Sequence, residues 1–444
     1  MSRDVQENPA SVQQEEARQA GEARARWAWT EGCVWTSRML AALVTGLKGG
    51  KWFSLIDKVY APATLASAFE KVKRNKGAAG VDHQTIEAFE KELAVNLEKL
   101  SAGLRSGTYS PSPVRRKYIA KAGGGERPLG IPTVRDRVVQ SALRVVMEPI
   151  FEVTFCEHSY GFRPGRGCKD ALREVDGLLK SGHTYVVDVD YKSYFDTIPR
   201  GPLMRRVEEQ ISDGRVLELL RQLLEQDVME GMRQWTPTEG TPQGAVISPL
   251  LANIYLNPLD QLMVARGMRM VRYADDLVVL CRSREQADEA LGLIRTWSVE
   301  AGLTLHPEKT KLVDLQEPGA GFDFLGYHFE RGRKTPRKKS LVKFKDRIRE
   351  LTPRRDGRSL ESIITTLNRT IRGWFEYFKH AHEWTFDSLD GWIRERLRRM
   401  LRKRLKKAPS KLARFKWPNA FFHERGLFSM LNSLREAKSA LSKR

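Results

Sequence analysis

The sequence predicts an α+β body followed by an all-helical, strongly basic C-terminal segment, and three observations carry that prediction. Residues 269–281 set two runs of β-formers around a short acidic tip, Tyr273, Ala274, Asp275 and Asp276, the pattern of a hairpin whose turn tolerates Asp. Upstream of it, strand-like runs and amphipathic helices share the chain from about residue 65. Beyond residue 359, apolar side chains recur at spacings of three and four, so strands give way to helices.

A chain of 444 residues with 41% hydrophobic side chains is long enough for more than one domain and supplies a sizeable core. Its net charge of +21 is concentrated: residues 331–444 hold 33 Lys and Arg against 11 Asp and Glu, leaving the first 330 residues at −1. A basic quarter beside a near-neutral body is the electrostatic footprint of a polyanion binder, nucleic acid above all. Cys33, Cys156, Cys168 and Cys281 show no paired zinc spacing, which fits a reducing compartment. The N-terminus is rich in Gln and Glu rather than apolar, and the longest apolar run, near Met39 to Leu47, is too short to cross a bilayer. A cytoplasmic protein that avoids membranes is expected.

Taken in order, residues 1–25 are polar and expected to be disordered. Trp27, Trp29, Trp35 and Trp52 follow in a segment read as packing. The helical pattern of residues 65–73 closes on a Gly-rich basic loop, Lys76 to Asp82, whose backbone can approach a phosphodiester. Residues 114–120 and 127–131 read as a hairpin around Gly123, Gly124 and Gly125, flanked by Lys121 and Arg127. These two cations are either solvated charges or a clamp on a triphosphate, Arg as a fork and Lys as a point charge. After a helix over residues 135–147, Tyr160, Phe162, Arg163 and Arg166 mix stacking faces with cations in a loop, which suits a single-stranded template.

Residues 185–190 have strand character, so Asp188 and Asp190 project to one face. Phe195, five residues on, is either a core aromatic or a plate against the sugar of an incoming nucleotide, where it would exclude a 2′-hydroxyl. Gly240, Thr241, Pro242, Gln243 and Gly244 form a loop ahead of Ser248, read as an N-cap, and Pro249, favoured in the first helical turn. Gln243 is placed to touch a nucleotide or template base. Past the acidic hairpin come a helix over residues 286–301, the segment holding Lys309 and Lys311, and a hairpin over residues 322–327. The amphipathic helix that starts near Leu360 is followed by another, residues 386–407, presenting Arg394, Arg398, Arg399, Arg402, Lys403 and Lys406, cations suited to a phosphate backbone.

Asp190 on one strand with Asp275 and Asp276 on a hairpin tip supplies hard oxygen ligands for Mg²⁺. Two such ions activate a hydroxyl and stabilise a leaving pyrophosphate in nucleotide polymerisation.

In these motifs and in their order, from about Trp52 to Phe428, the chain resembles the reverse transcriptases encoded by bacterial group II introns. The signature box is residues 273–276, the first catalytic motif 189–198 and the Pro-Gln-Gly loop 241–249; residues 76–82, 127–133, 159–165 and 322–327 match further blocks. The resemblance implies a right-hand polymerase: an N-terminal extension (1–50), fingers (51–180), an antiparallel-sheet palm (181–330), a basic linker (331–358) and a helical thumb or maturase domain (359–444). It implies a metal-binding set of Asp190, Asp275 and Asp276 with the backbone carbonyl of Tyr191, for two Mg²⁺ ions, with Mn²⁺ as a substitute. Lys121 and Arg127 would grip the triphosphate, Phe195 would gate the sugar, Gln243 would contact the nucleotide, and Lys309 or Lys311 would protonate the pyrophosphate. Its partners would be deoxynucleotides, a DNA primer or target and the intron RNA, which the protein helps to splice and then copies at a DNA site. The chain lacks the His and Cys pattern of the HNH nuclease found in longer members, so it is most similar to the compact, class C-like type. A polymerase detached from any intron, in defence or repair, and a splicing-only RNA-binding protein are the alternative readings.

Overall fold

The computed structural model describes residues 27–47, 49–120, 125–353, 357–404 and 413–442. It divides into two compact units, residues 1–183 with 187–311, and residues 184–186 with 312–444.

In the first unit, β1 (Val114–Ala120) and β2 (Glu126–Ile131) form the expected hairpin, with Arg115 opposite Ile131. β1 also pairs in parallel with β4 (Val228–Glu230), which turns back antiparallel into β5 (Arg233–Trp235). Helices supply much of the unit's core, beside the buried strand residues Val187, Val271 and Val278. Pro62 opens α1 (Pro62–Asn75) at a position where its missing N–H costs nothing. The Thr133 hydroxyl caps α2 (Val134–Glu152) by accepting from the Asp136 N–H at 3.1 Å, and Val138, Val139, Ala142 and Val146 of that helix are fully buried. Trp27 and Trp35 are buried too, and Trp35 donates to the Val145 carbonyl at 3.1 Å, so this segment packs as the sequence reads.

The acidic hairpin is β6 (Arg269–Tyr273) and β7 (Asp276–Cys281), antiparallel, in a sheet of order β6-β7-β3-β8, where β3 is Tyr185–Val189 and β8 is Lys311–Asp314. α3 (Cys168–Lys180), α4 (Ser248–Ala265) and α5 (Arg284–Glu300) complete the unit's framework. α4 buries Leu250, Leu251, Ile254, Tyr255 and Leu259, the stripe read from the sequence. Its start is corrected by one residue: Ile247 is the cap and Ser248 is already helical. The Ser248 hydroxyl donates back to the Pro242 carbonyl at 2.9 Å, tying the helix to the loop before it rather than capping a free N–H.

The second unit begins with the antiparallel sheet β9 (Gly321–Phe324), β10 (Tyr327–Glu330) and β11 (Arg333–Pro336), in which Phe322, Phe324, Tyr327 and Phe329 are buried. Residues 331–358, expected as a basic linker, instead contain β11 and the helix α6 (Lys338–Leu351). Phe344 and Ile348, one turn apart, are the buried stripe that the surrounding charges conceal. Ser359 caps α7 (Leu360–Phe378) by accepting from the Ser362 N–H at 3.1 Å, and Trp374 of that helix stacks on Phe344 at 4.4 Å between ring centres. α8 (Glu383–Arg404) supplies Asp390, whose carboxylate accepts from the Ser429 hydroxyl at 2.8 Å and the Leu431 N–H at 3.2 Å, at the start of α9 (Met430–Ser442). Among the described residues no helix is long and apolar enough to cross a membrane.

Candidate active site

Tyr273 and Asp276 are the last paired residues of the acidic hairpin, so Ala274 and Asp275 make its turn, with Ala274 at φ 59°. Asp190 sits one residue beyond β3. Its carbonyl is pinned by the His306 N–H at 2.7 Å and the Thr310 hydroxyl at 3.3 Å, so the end of the strand is fixed. Asp190 and Asp275 line one cleft of about 590 Å³ together with Arg127, Phe195, Gln243 and Lys309. The Asp275 carboxyl is pushed above its ordinary value, first by burial and then by the like charge of Asp190, while Arg127 and Arg272 pull the other way. A site built from hard oxygens, one of them desolvated beside a second, is one where a divalent cation would be favoured.

The two lysines left as alternatives separate here. Lys309 donates to Asp190 Oδ1 at 3.0 Å and lines the cleft, whereas Lys311 stands 4.0 Å from Asp188 Oδ2. Asp276 opens β7 and is not on the cleft lining. Among the described residues no group of three or more His, Cys, Asp or Glu is close enough to hold a metal ion. Asp190 and Asp275 line the cleft together, and Asp276, the third acid read from the sequence, follows Asp275 directly in the chain. Tyr191 also lines the cleft, its buried hydroxyl hydrogen-bonded with Ser298 at 3.0 Å.

The Pro-Gln-Gly loop is laid tightly against its neighbours. A Cβ on Gly240 would meet the Asp196 carbonyl oxygen at 2.6 Å and one on Gly244 the Gly130 carbonyl oxygen at 2.5 Å, and both residues have positive φ, so only Gly fits. Thr241 donates its N–H to the Phe195 carbonyl at 2.7 Å, and Gly130 donates to the Gln243 carbonyl at 2.6 Å. The Gln243 side chain donates to Asp196 at 2.6 Å. Phe195 is half-buried, edge-on to Tyr194 at 5.5 Å.

The cations expected on nucleic acid have different fates. Lys76 is exposed, with its loop held from behind by Arg137, which donates to the Ala78 carbonyl at 2.7 Å, and by Arg115, which donates to that of Ala79. Arg163, expected on nucleic acid, is instead buried: it pairs with Glu152 at 2.7 Å and donates to the Ser159 carbonyl at 2.6 Å. Arg166 is half-buried, donating to the Glu157 carbonyl and lying over the Tyr160 ring. On α8, Arg399 and Lys403 are exposed and Arg394 and Arg402 half-buried. Arg398, expected on the same face, points inward and donates to the Trp417 carbonyl at 2.9 Å and Asn419 Oδ1 at 2.7 Å. Lys121 and Lys406 lie outside the described residues.

Phe162, read from the sequence as a stacking face for a template, is on the cleft, whereas Arg272, buried behind it, carried no site reading. Phe162, at φ 58°, lines the cleft and stands 6.1 Å from the Tyr273 ring; its placement beside Arg163 in a loop was the available signal. Arg272 lies directly behind the turn, and only its position one residue before the acidic box could have marked it.

A cleft that gathers Asp190 at the end of a strand, Asp275 on a hairpin turn, Arg127 and the loop of Gln243 fits a nucleotide polymerase of the palm type. Residues 119–329 match the family model described as "Reverse transcriptase (RNA-dependent DNA polymerase)", and residues 341–417 match "Group II intron, maturase-specific domain". Protein YkfC of Escherichia coli strain K12 is 36% identical over 320 residues, which cover 63% of this chain and 83% of YkfC. The group II intron-encoded protein LtrA of Lactococcus lactis is 36% identical over 214 residues, 48% of this chain but 35% of LtrA. An uncharacterized 91 kDa protein in the cob intron of Schizosaccharomyces pombe is 29% identical over 405 residues, 71% of this chain and 49% of that protein. The chain thus spans most of YkfC, but about a third of LtrA and half of the yeast protein. It belongs to the reverse transcriptase family, in the branch that joins a reverse transcriptase domain to a group II intron maturase domain.

Proposed function

We propose that this protein is an RNA-directed DNA polymerase that also binds its own intron RNA, assists its splicing and copies it at a DNA target. The observation that carries the reading is the convergence of Asp190 and Asp275 on a cleft that also presents Arg127, Phe195, Gln243 and Lys309. Mg²⁺ ions, or Mn²⁺ in their place, would be held by Asp190 and Asp275, with Asp276 and the Tyr191 carbonyl as further ligands, and would supply hydroxyl activation and charge neutralisation at the transferring phosphoryl.

The remaining work falls to the chain's own groups. Arg127, exposed at the cleft edge, pairs with the triphosphate as a bidentate fork, with Lys121 as its partner. Gln243, anchored through its own carbonyl to Gly130, orients the nucleotide, and the Phe195 ring stands where a 2′-hydroxyl would clash. Lys309 carries a proton at Nζ on the cleft wall and delivers it to the leaving pyrophosphate. Lys76 and Arg166 contact template or primer phosphates. Arg399 and Lys403 of α8, helped by Arg394 and Arg402, contact intron RNA, and the protein acts in the cytoplasm.

Primer extension on an RNA template with deoxynucleotides and Mg²⁺ tests the reading. Full activity is expected for the natural chain and none for Asp275→Ala; synthesis by that variant at the natural rate would overturn it. Protection of the encoding intron RNA, and faster splicing at low Mg²⁺ when the protein is added, test the maturase half.

A further inference from the structure

Behind the acidic turn lies a polar network that the proposed chemistry does not use. Arg272 is fully buried, as are Asp260 and Asn253, both contributed by α4. The guanidinium donates from Nε to Asp260 Oδ1 at 2.7 Å and from Nη2 to Asp260 Oδ2. Nη1 donates to Asn253 Oδ1 at 2.9 Å and to the Ala274 carbonyl at 2.9 Å. Asn253 in turn donates from Nδ2 to the Gly161 carbonyl at 2.8 Å. Gly161 rests on the turn so closely that a Cβ there would come within 2.3 Å of the Ala274 nitrogen. The main chain of Arg272 is held as well, donating to the His158 carbonyl at 3.0 Å and accepting from the Tyr160 N–H at 2.8 Å.

A buried Arg–Asp pair is seldom more stabilising than apolar side chains of the same volume, so core stability alone gives little reason for it here. What an apolar pair could not do is grip a carbonyl. Ala274, a residue with a Cβ, is held at φ 59°, a conformation that persists only where the surroundings impose it. The Arg272 hydrogen bond to its carbonyl is such an imposition, applied one residue before Asp275.

We propose that Arg272 is a positioning residue: oriented by Asp260 and Asn253, it fixes the Ala274 peptide so that Asp275 enters the cleft opposite Asp190. The inference rests on the polymerase reading of that cleft. It predicts that loosening the grip disturbs the cation affinity of the acidic pair before it disturbs the fold.

Two variants test it. Arg272→Lys keeps the charge beside Asp260 but cannot serve Asp260, Asn253 and Ala274 at once. Asn253→Ala leaves the Arg272–Asp260 pair intact, cuts the tie to Gly161 and decides the matter should the lysine variant not fold. Leu220→Ala, in the helix Gly214–Leu224, is the control for loss of core packing alone. The measurements are the melting temperature without metal, Mn²⁺ affinity by electron paramagnetic resonance without template or nucleotide, and the Mg²⁺ midpoint of primer extension. Both network variants are expected to weaken Mn²⁺ binding and raise the Mg²⁺ midpoint on the order of tenfold, with high Mg²⁺ restoring part of the rate. Leu220→Ala is expected to lower the melting temperature and leave both metal readouts in place. Natural Mn²⁺ affinity and Mg²⁺ midpoint in the folded network variants would overturn the proposal, as would an equal shift in the control. Failure of the natural chain to extend any primer would instead count against the polymerase reading, while the Mn²⁺ arm still reports on Arg272.

Discussion

Lys309 Nζ lies 3.0 Å from Asp190 Oδ1, across 119 positions of sequence, and both side chains face the same cleft. The ammonium is a counter-charge of this carboxylate.

That arrangement separates two neighbours. If Lys309 delivers the proton to pyrophosphate, Lys309→Gln should lower the single-turnover rate of nucleotide addition by roughly a hundredfold or more, the usual scale of a lost general acid. Lys311→Gln should change it far less, because Lys311 is directed at Asp188 instead. Rapid-quench measurements at saturating nucleotide would show the difference; equal losses in the two variants would remove Lys309 from the chemistry.

Phe195 gives a selectivity prediction. Its half-buried ring lies edge-on to Tyr194 at 5.5 Å and its carbonyl accepts from the Thr241 N–H at 2.7 Å, and if that ring gates the sugar, removing it should relax selectivity. Phe195→Ala should raise ribonucleotide use relative to deoxynucleotide use on the order of tenfold or more, while deoxynucleotide addition falls modestly. The ratio of kcat/KM for matched ribo- and deoxynucleotides is the readout, and an unchanged ratio would return Phe195 to the core.

Gly161 and Gly292 make a contrasting pair. A methyl at Gly161 would strike the acidic turn, and overpacking of this kind costs about 1–3 kcal/mol, so Gly161→Ala should lower both the melting temperature and the extension rate. Gly292 lies within α5 with nothing within 4 Å of a Cβ. Gly292→Ala should stabilise by about 1 kcal/mol, the helix-propensity difference, with activity unchanged.

Asp213 makes part of the stability pH-dependent. Burial works against its charge, but the backbone N–H groups of Ile56, Leu55, Val216 and Arg215 outweigh it and hold the carboxyl below its ordinary value. A lowered folded value means that the stabilisation is fully present above the unfolded value of about 4 and is lost as the pH falls through the lowered one. Asp213→Ala, which strips the cap from the helix Gly214–Leu224 and leaves Leu55 and Ile56 without their acceptor, should cost about 2 kcal/mol near neutrality. Denaturant melts from pH 7 down to pH 3 should show the gap to the natural chain closing in acid.

The parts of the site legible in sequence were those marked by a local rule. A two-residue period put Asp190 at a strand end, an acidic break in β-formers gave the hairpin, and the run from Gly240 to Gly244 ahead of a helix marked a loop holding Gln243. What was illegible depended on partners far along the chain. Arg163 and Arg166 look alike in sequence, but only the former meets Glu152 across a buried gap. Lys309 and Lys311 were inseparable until strand geometry assigned one to Asp190 and the other to Asp188. Arg272 reads as one more cation in a basic chain, and its burial depends on Asp260 and Asn253 lying on one face of α4. The helix α6 was hidden because Phe344 and Ile348 are its only fully buried side chains among many charges.

The same distinction between buried and exposed cations makes the RNA-binding prediction on α8 specific. Arg399 and Lys403 are exposed one helical turn apart, whereas Arg398, just before them, is committed to the Trp417 carbonyl and Asn419 inside the unit. Each phosphate contact to single-stranded RNA contributes about 0.7 to the slope of log affinity against log salt. Arg399→Gln with Lys403→Gln should therefore flatten that slope by roughly 1.4 for intron RNA, with the melting temperature little changed. Arg398→Gln should do the reverse, lowering the melting temperature because buried acceptors lose their donor, while the salt slope of the folded fraction stays as it was. Filter-binding titrations across a range of KCl concentrations, set beside thermal melts of the same three preparations, would decide it. A slope untouched by the double variant would move the RNA contact away from this face of the helix.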